Sequence, residues 1–420
     1  MSSPDNTNRA RPRDIFRIVP YPWVVVVLAL VSQMGGSWPG QGLPAVYPFI
    51  QQDLDLSRAE VGLISSALLG GAIATVFLGG WLSDVLGVKR VMVGFLVVLG
   101  LVMMGFWLVH SYLVLLLVGV LAGIAEGPGY PTSTKAIMEW IPQRTRGLAM
   151  GIKQMGVALG GAIAAAALPA IALAAGWRVA AVIMGGAILL IAVIFAVMYR
   201  DADHVQTAKP RMSLATLRAL AQDRGLIIAT LWGVIIVGIQ TITLSYIALF
   251  LIDVVHMPKV AAGGYLAVAQ LSSVIARVCW GGMSDFMFGS RRNIVLGILS
   301  GAAALGLAGI SMVNAETPTA ILLLLVILVG ATVLSWAGLF AVLVGELAGT
   351  ERAGVAVGAV NTLQRASLIV MPPLFGLLVD ASDSYALAWR TAAGMTLAAT
   401  VALLLFGQEP RRREQGQPSS

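Results

Sequence analysis

Apolar residues fill this chain in long runs, and short polar intervals separate the runs at a regular spacing. A run of about twenty apolar residues is the length that crosses a hydrocarbon layer as a helix. Twelve such runs are readable, at roughly 23–50, 60–82, 91–110, 112–140, 147–174, 177–199, 226–252, 260–283, 293–313, 318–346, 353–379 and 386–407. The pattern predicts an all-α integral membrane protein whose twelve transmembrane helices form two six-helix bundles. The expected divisions are a tail at 1–22, a bundle at 23–199, a central loop at 200–225, a second bundle at 226–407 and a tail at 408–420. Within the central loop, Met212 to Asp223 keeps a helical period and is expected to lie along the membrane surface.

Composition points the same way. The chain has 420 residues, of which 58% are hydrophobic and 11% charged. A soluble domain carries about 25% charged residues, so this chain has too few charges to cover a water-facing surface. The net charge of +7 does not point to nucleic acid, because the basic residues are spread over the intervals between runs. Counting Lys and Arg by interval puts nineteen of the twenty-seven on one membrane face and four on the other. Basic residues concentrate in cytoplasmic loops. Both termini are therefore expected in the cytoplasm, with the chain threading the plasma membrane many times. The apolar stretch after the basic amino end is too long for a cleaved signal and has no small-residue cleavage site.

Cys279 is the single cysteine, so no intramolecular disulfide can form, and the three histidines are scattered. No nucleophile–base set, metal-ligand spacing or phosphate loop is readable, so neither an enzyme nor a bound cofactor is expected.

The two halves echo each other. "GGWLSDVLGVKR" (Gly79–Arg90) matches "WGGMSDFMFGSRR" (Trp280–Arg292), each after the second run of its half. "RGLAMG" (Arg146–Gly151) resembles "AGVAVG" (Ala353–Gly358), and Glu139 and Glu346 stand 207 residues apart. Duplicated bundles joined by a loop are the architecture of a transporter that rocks around a central site.

On these residues the chain resembles the major facilitator superfamily. The loop after its second helix is similar to the family signature G-x-L-x-D-R-x-G-R-[KR], which Gly80, Leu82, Asp84, Gly87 and Lys89 fit, with Arg90 following. The usual basic residues are absent at Val85 and Val88. The second copy keeps Gly281, Asp285, Gly289, Arg291 and Arg292 with one inserted residue. The resemblance implies that Asp84, and more weakly Asp285, help to gate the cytoplasmic side. A carboxylate beside loop arginines and helix ends can latch one conformation and release in another.

The deep charges of the predicted spans are four cations and one carboxylate, and depth separates them. Glu126 lies fourteen residues into the fourth run, ~21 Å along it, and is too short to reach water. Strong desolvation of its charged form makes it a group able to take up and release a proton during a cycle. The alternative is a structural ion pair with a neighbouring cation such as Arg365. Lys135, ~34 Å along, is close enough to the cytoplasmic rim to snorkel. Arg365 is ~18 Å into the eleventh run, with Asn361 and Gln364 beside it, and its fork geometry suits a carboxylate substrate. Arg277 lies ~26 Å from the outer end of the eighth run; anion binding and gating both fit it. Lys153, ~9 Å deep with Gln154 beside it, either lines the inner vestibule or snorkels. Tyr130, Gln240 and Tyr246 add polar and aromatic candidates for a pocket.

"EGPGYPTSTK" is also similar to the fourth-helix signature of the organic-anion symporter branch, E-x-P-x-x-P-x-x-x-[RK], through Glu126, Pro128, Pro131 and Lys135. That resemblance implies a protonation site at Glu126 and an anion-attracting role for Lys135. The basic residue that this branch often carries in its first helix is missing between Tyr21 and Ile50. A cavity with an excess of cations attracts anions. The expectation is a monomeric transporter that carries a small organic anion together with a proton, by alternating access, with lipid and substrate as its only partners. The competing expectation is a drug/proton antiporter, although the G-P-x-x-G-G signature of such carriers is incomplete around Gly160 and Gly161.

Overall fold

A computed structural model describes residues 20–142, 145–202, 222–289, 291–348 and 353–407. Residues 1–19 of the expected amino tail, the whole expected carboxyl tail at 408–420, and residues 212–221 of the expected surface helix Met212 to Asp223 lie outside the described residues. Among those described, twelve helices are long and apolar enough to cross a membrane. The first six are built on Tyr21–Gln41, Arg58–Leu86, Val88–Gly105, Tyr112–Trp140, Arg146–Ala175 and Trp177–Met198. The last six are built on Arg224–Asp253, Lys259–Gly282, Arg292–Ile310, Thr319–Ala348, Ala353–Ser382 and Tyr385–Phe406. The membrane face that carries Asp84 and Asp285 is called here the basic end.

The first span stops earlier than its hydropathy suggests. It ends at Gln41, a 3-10 turn covers Leu43–Val46, and a short helix follows at Tyr47–Leu54. Pro44 and Pro48 each sit in the first turn of a new segment, where the missing N–H costs nothing and the fixed φ favours a restart. Hydropathy averaged over 23–50 cannot see that punctuation.

Lipid tails are as apolar as leucine, so the spans are held together by close packing rather than by escape from water. Glycine sets that packing. A Cβ at Gly71 would overlap the Val120 carbonyl, and one at Gly123 would overlap the Leu68 carbonyl. At Gly79 it would run into Pro128. These contacts press the second span against the fourth. Between the halves, Gly62 lies against Pro372 and Gly376 against Arg58, joining the second span to the eleventh. Gly161 lies against Gln270 and Gly263 against Pro169, joining the fifth to the eighth.

Two spans are interrupted at corresponding places. In the fourth, helix runs from Tyr112 to Glu126, breaks at Gly127–Pro128 and resumes over Gly129–Trp140. In the tenth, helix runs from Thr319 to Val333, turns through Leu334–Trp336 and resumes over Ala337–Ala348. The starts and the break points are both displaced by the offset that separates Glu139 from Glu346 (333 − 126 = 207). The first break follows from Pro128, which has no N–H to give to the preceding turn. The second has neither proline nor glycine, yet it falls in register.

The glycine contacts make a stability prediction. Gly123→Val should lower stability by about 1–3 kcal/mol through overpacking, read as an earlier thermal unfolding transition of the purified protein in detergent. Gly94→Ala, where an added Cβ meets nothing within 4 Å, should leave the transition in place.

Candidate substrate and proton site

The break in the fourth span places Glu126 at the end of a helical segment in the interior. The carboxylate is close enough to the Arg365 guanidinium of the eleventh span for the two to interact electrostatically across the halves. Among the described residues neither group has a hydrogen bond or an ion pair within 4 Å. A charged pair at this depth that is not locked together keeps both groups available to a third partner.

Lys153 is wholly buried, with 0% of its surface exposed. Its ammonium donates to Thr134 Oγ1 at 2.7 Å and to the Tyr130 carbonyl at 3.3 Å. It also lies 4.0 Å from the centre of the Tyr130 ring. The side chain therefore does not snorkel. It ties the fifth span to the segment just after the break in the fourth, and the ring face supplies attraction that an absent carboxylate would otherwise give.

Arg277 does a similar job at the other break. Its Nη1 donates to the Gln154 carbonyl of the fifth span at 3.1 Å, and its Nη2 donates to the Leu334 carbonyl at 3.0 Å. Leu334 sits in the interrupted turn of the tenth span, where carbonyls lose their helical partners. One guanidinium thus satisfies a freed carbonyl and links the two halves. In the same turn, Trp336 Nε1 donates to Gln240 Oε1 at 2.9 Å. The Gln154 side-chain oxygen and Arg277 Nε are buried without a protein partner.

Other candidates lie elsewhere. Lys135 points to the basic end, where its ammonium donates to Asp84 at 2.6 Å and to the Ser83 carbonyl at 2.7 Å, with Glu139 at 3.8 Å. It belongs with the loop motif rather than with Glu126. In the second copy, Arg292 pairs with Asp285 at 2.5 Å and with Glu346 at 3.5 Å. These ion pairs at the basic end all stay within one half. Gly87 takes φ +85°, a left-handed turn that leads into the third span, and Asp201 accepts from the Lys89 backbone N–H at 2.9 Å. Gly80 packs near Pro131. Arg90 and Arg291 are exposed, as is Asn361. Tyr246 is fully buried near the opposite end, where its hydroxyl lies 2.7 Å from the Arg58 carbonyl and 2.9 Å from the Pro372 carbonyl, with one proton to share between them.

Sequence reasoning did not single out the cluster at that opposite end. Asp253 Oδ2 accepts from Arg58 Nη2 at 3.0 Å and from the Tyr385 hydroxyl at 2.9 Å. Asp380 accepts from the backbone of Arg58 and Ala59. The one local signal was the capping pattern Ser57-x-x-Glu60; its partners are hundreds of residues away.

Comparison with known proteins gives the family and the fold. The family model described as Major Facilitator Superfamily matches residues 25–370, and the chain belongs to that family of transporters. It is 28% identical over 360 residues to a protein of Cupriavidus necator named "Probable sulfoacetate transporter", covering 80% of this chain and 83% of that one. It is 26% identical over 383 residues to the hexuronate transporter of Bacillus subtilis, covering 86% and 88%. Among solved structures, a D-xylose–proton symporter superposes with a TM-score of 0.75 at 16% identity over 93% of this chain and 99% of that one. A bacterial homologue of the lysosomal transporter Spinster, in an inward-facing conformation, gives 0.71 at 16% identity over 92% and 96%. The fold is therefore that of a twelve-span membrane transporter.

The Lys153 contacts generate a test. Thr134→Val leaves a buried ammonium short of one acceptor and should cost about 1–3 kcal/mol. Adding Lys153→Met should recover part of that loss, because the unsatisfied charge is gone. A thermal-unfolding double-mutant cycle reads the coupling; purely additive losses would sever Lys153 from Thr134.

Proposed function

We propose that this protein carries a small organic anion across the plasma membrane together with a proton, with both termini in the cytoplasm. The observation that carries the proposal is the pair of Glu126 and Arg365, one group from each half, which interact electrostatically without a hydrogen bond or an ion pair within 4 Å. A carboxylate substrate is drawn to the guanidinium, whose fork matches two carboxylate oxygens. Glu126 in its charged form competes for that guanidinium. A proton on Glu126 removes the competitor and offsets the charge of the substrate, so anion and proton favour one another's binding. The names of the similar proteins support the substrate class, since sulfoacetate and hexuronate are both organic anions. The excess of Lys and Arg at the basic end supports the orientation.

In this reading Lys153 and Arg277 hold the interrupted spans in shape and lend positive potential to the interior. The Gln154 side-chain oxygen and Arg277 Nε beside them are buried with no protein partner and are free to meet a polar ligand. The drug-antiporter alternative draws no support from the interior, whose deep charges are mainly cationic.

Two measurements test the proposal in proteoliposomes. Glu126→Gln should abolish uptake driven by an imposed proton gradient while leaving exchange of labelled anion across the membrane; an unchanged dependence of uptake on pH would remove Glu126 from coupling. Arg365→Ala should weaken anion affinity by about ten-fold or more, the loss of a charge-assisted hydrogen bond worth about 1.5–3 kcal/mol. Arg365→Lys should recover part of it. Thermal-shift titration against mono- and dicarboxylates and sugar acids reads that affinity, and wild-type affinity in Arg365→Ala would take the residue out of the site.

A further inference from the structure

The first turn of the second span can be accounted for donor by donor. A helix start leaves four backbone N–H groups without helical partners. Here Ser57 N–H donates to Glu60 Oε2 at 2.9 Å, and Glu60 N–H donates to Ser57 Oγ at 3.2 Å, a complete capping box. The box leaves Arg58 N–H and Ala59 N–H. Both donate to one carboxylate, Asp380, at 3.2 and 2.9 Å. Asp380 lies 322 residues away near the end of the eleventh span, in the other half of the molecule. The helix start is thus capped half by its own sequence and half by the opposing bundle.

We propose that Asp380 is a trans cap that latches the outer face closed, and that it releases when the protein opens to the outside. The proposal rests on the orientation given above. Several features make this carboxylate the hinge of the contact. It is negative charge placed at the positive end of a helix, and it occupies two donors at once. The Arg58 side chain reaches Asp253, so the same residue is held to the second half through both its backbone and its guanidinium. Tyr246 then bridges the Arg58 and Pro372 carbonyls, and Gly62 and Gly376 let the two spans approach to backbone contact.

Beneath the latch, Tyr47, Ser65 and Ser245 form a buried chain of hydroxyls at 2.9 Å spacings that also crosses between the halves. The cap itself stands at the rim. The Arg58 side chain is 35% exposed, and a cavity of about 290 Å³ opens beside it, lined in part by Asp253, Asp383 and Tyr385. Water can therefore replace each partner as the halves part, which lets the latch open and reclose. A cap supplied from within the same half would stabilise the helix without holding the halves together. The trans arrangement makes helix capping depend on closure.

The test uses the full chain with Cys279→Ser, so that the thiol introduced by Ser65→Cys is the only one. Ser65 lies about 10 Å along the helix from Arg58 and is buried under the latch. The rate at which a membrane-impermeant maleimide modifies the introduced thiol is measured from each face of sealed vesicles. Asp380→Ala should raise the rate from the outer face about five- to ten-fold, the population shift that follows loss of a cap of ordinary strength. Asp380→Asn, which keeps one acceptor oxygen, should give an intermediate rise and carries the test if the alanine variant does not reach the membrane. Glu60→Gln, which weakens only the box within one half, should leave the rate near that of the parent. No change in the Asp380 variants, or an equal rise in Glu60→Gln, overturns the latch. The face from which the introduced thiol becomes reactive reports the orientation separately, and no substrate or proton gradient enters the measurement.

Discussion

Hydrocarbon offers a peptide group nothing to bond with, so each backbone donor and acceptor within the membrane must find its partner in the protein. A continuous helix meets this demand by itself. An interrupted helix does not, and this chain interrupts two. The consequences organise the interior. Arg277 goes to the carbonyl released at Leu334, Lys153 goes to the turn after Pro128, and Thr132 Oγ1 donates to the Pro128 carbonyl at 2.7 Å. Deep cations that look like substrate ligands in a linear reading are thus also the groups that make broken helices tolerable. Glu126 and Arg365 stand apart because their own spans do not use them up.

How well the molecule could be read from its residues follows from the same demand. The spans were legible because the hydrocarbon thickness fixes their length, and span ends at Trp140, Ala175 and Met198 fall within two residues of expectation. Gly127 and Pro128 announced the first interruption, whereas Leu334-Ser335-Trp336 carries no breaker and only the internal repeat could have hinted at the second. Glu126 was legible because a carboxylate at that depth is anomalous whatever surrounds it. Lys135 and Lys153 illustrate the limit. One lies shallow and reaches a carboxylate at the rim, the other is sealed inside, and the difference comes from which face of the helix meets a neighbour.

The cross-half contacts were illegible for a different reason. Asp253 and Asp380 are ordinary residues near span ends, and their meaning lies in a partner, Arg58, 195 and 322 positions distant. Periodicity carries no information at that separation. Only the docking of the second span against the eleventh, allowed by Gly62 and Gly376, brings them together.

The matched interruptions show that the two halves share a shape without sharing a chemistry. Where the first half has Glu126 the second has Val333, and where the first has Lys135 the second has Val342. The lopsidedness between these two like parts is electrical: Glu126 stands on one half and Arg365 on the other. The repeat sets the common shape of the halves, and the residues that break the repeat set the charge difference between them.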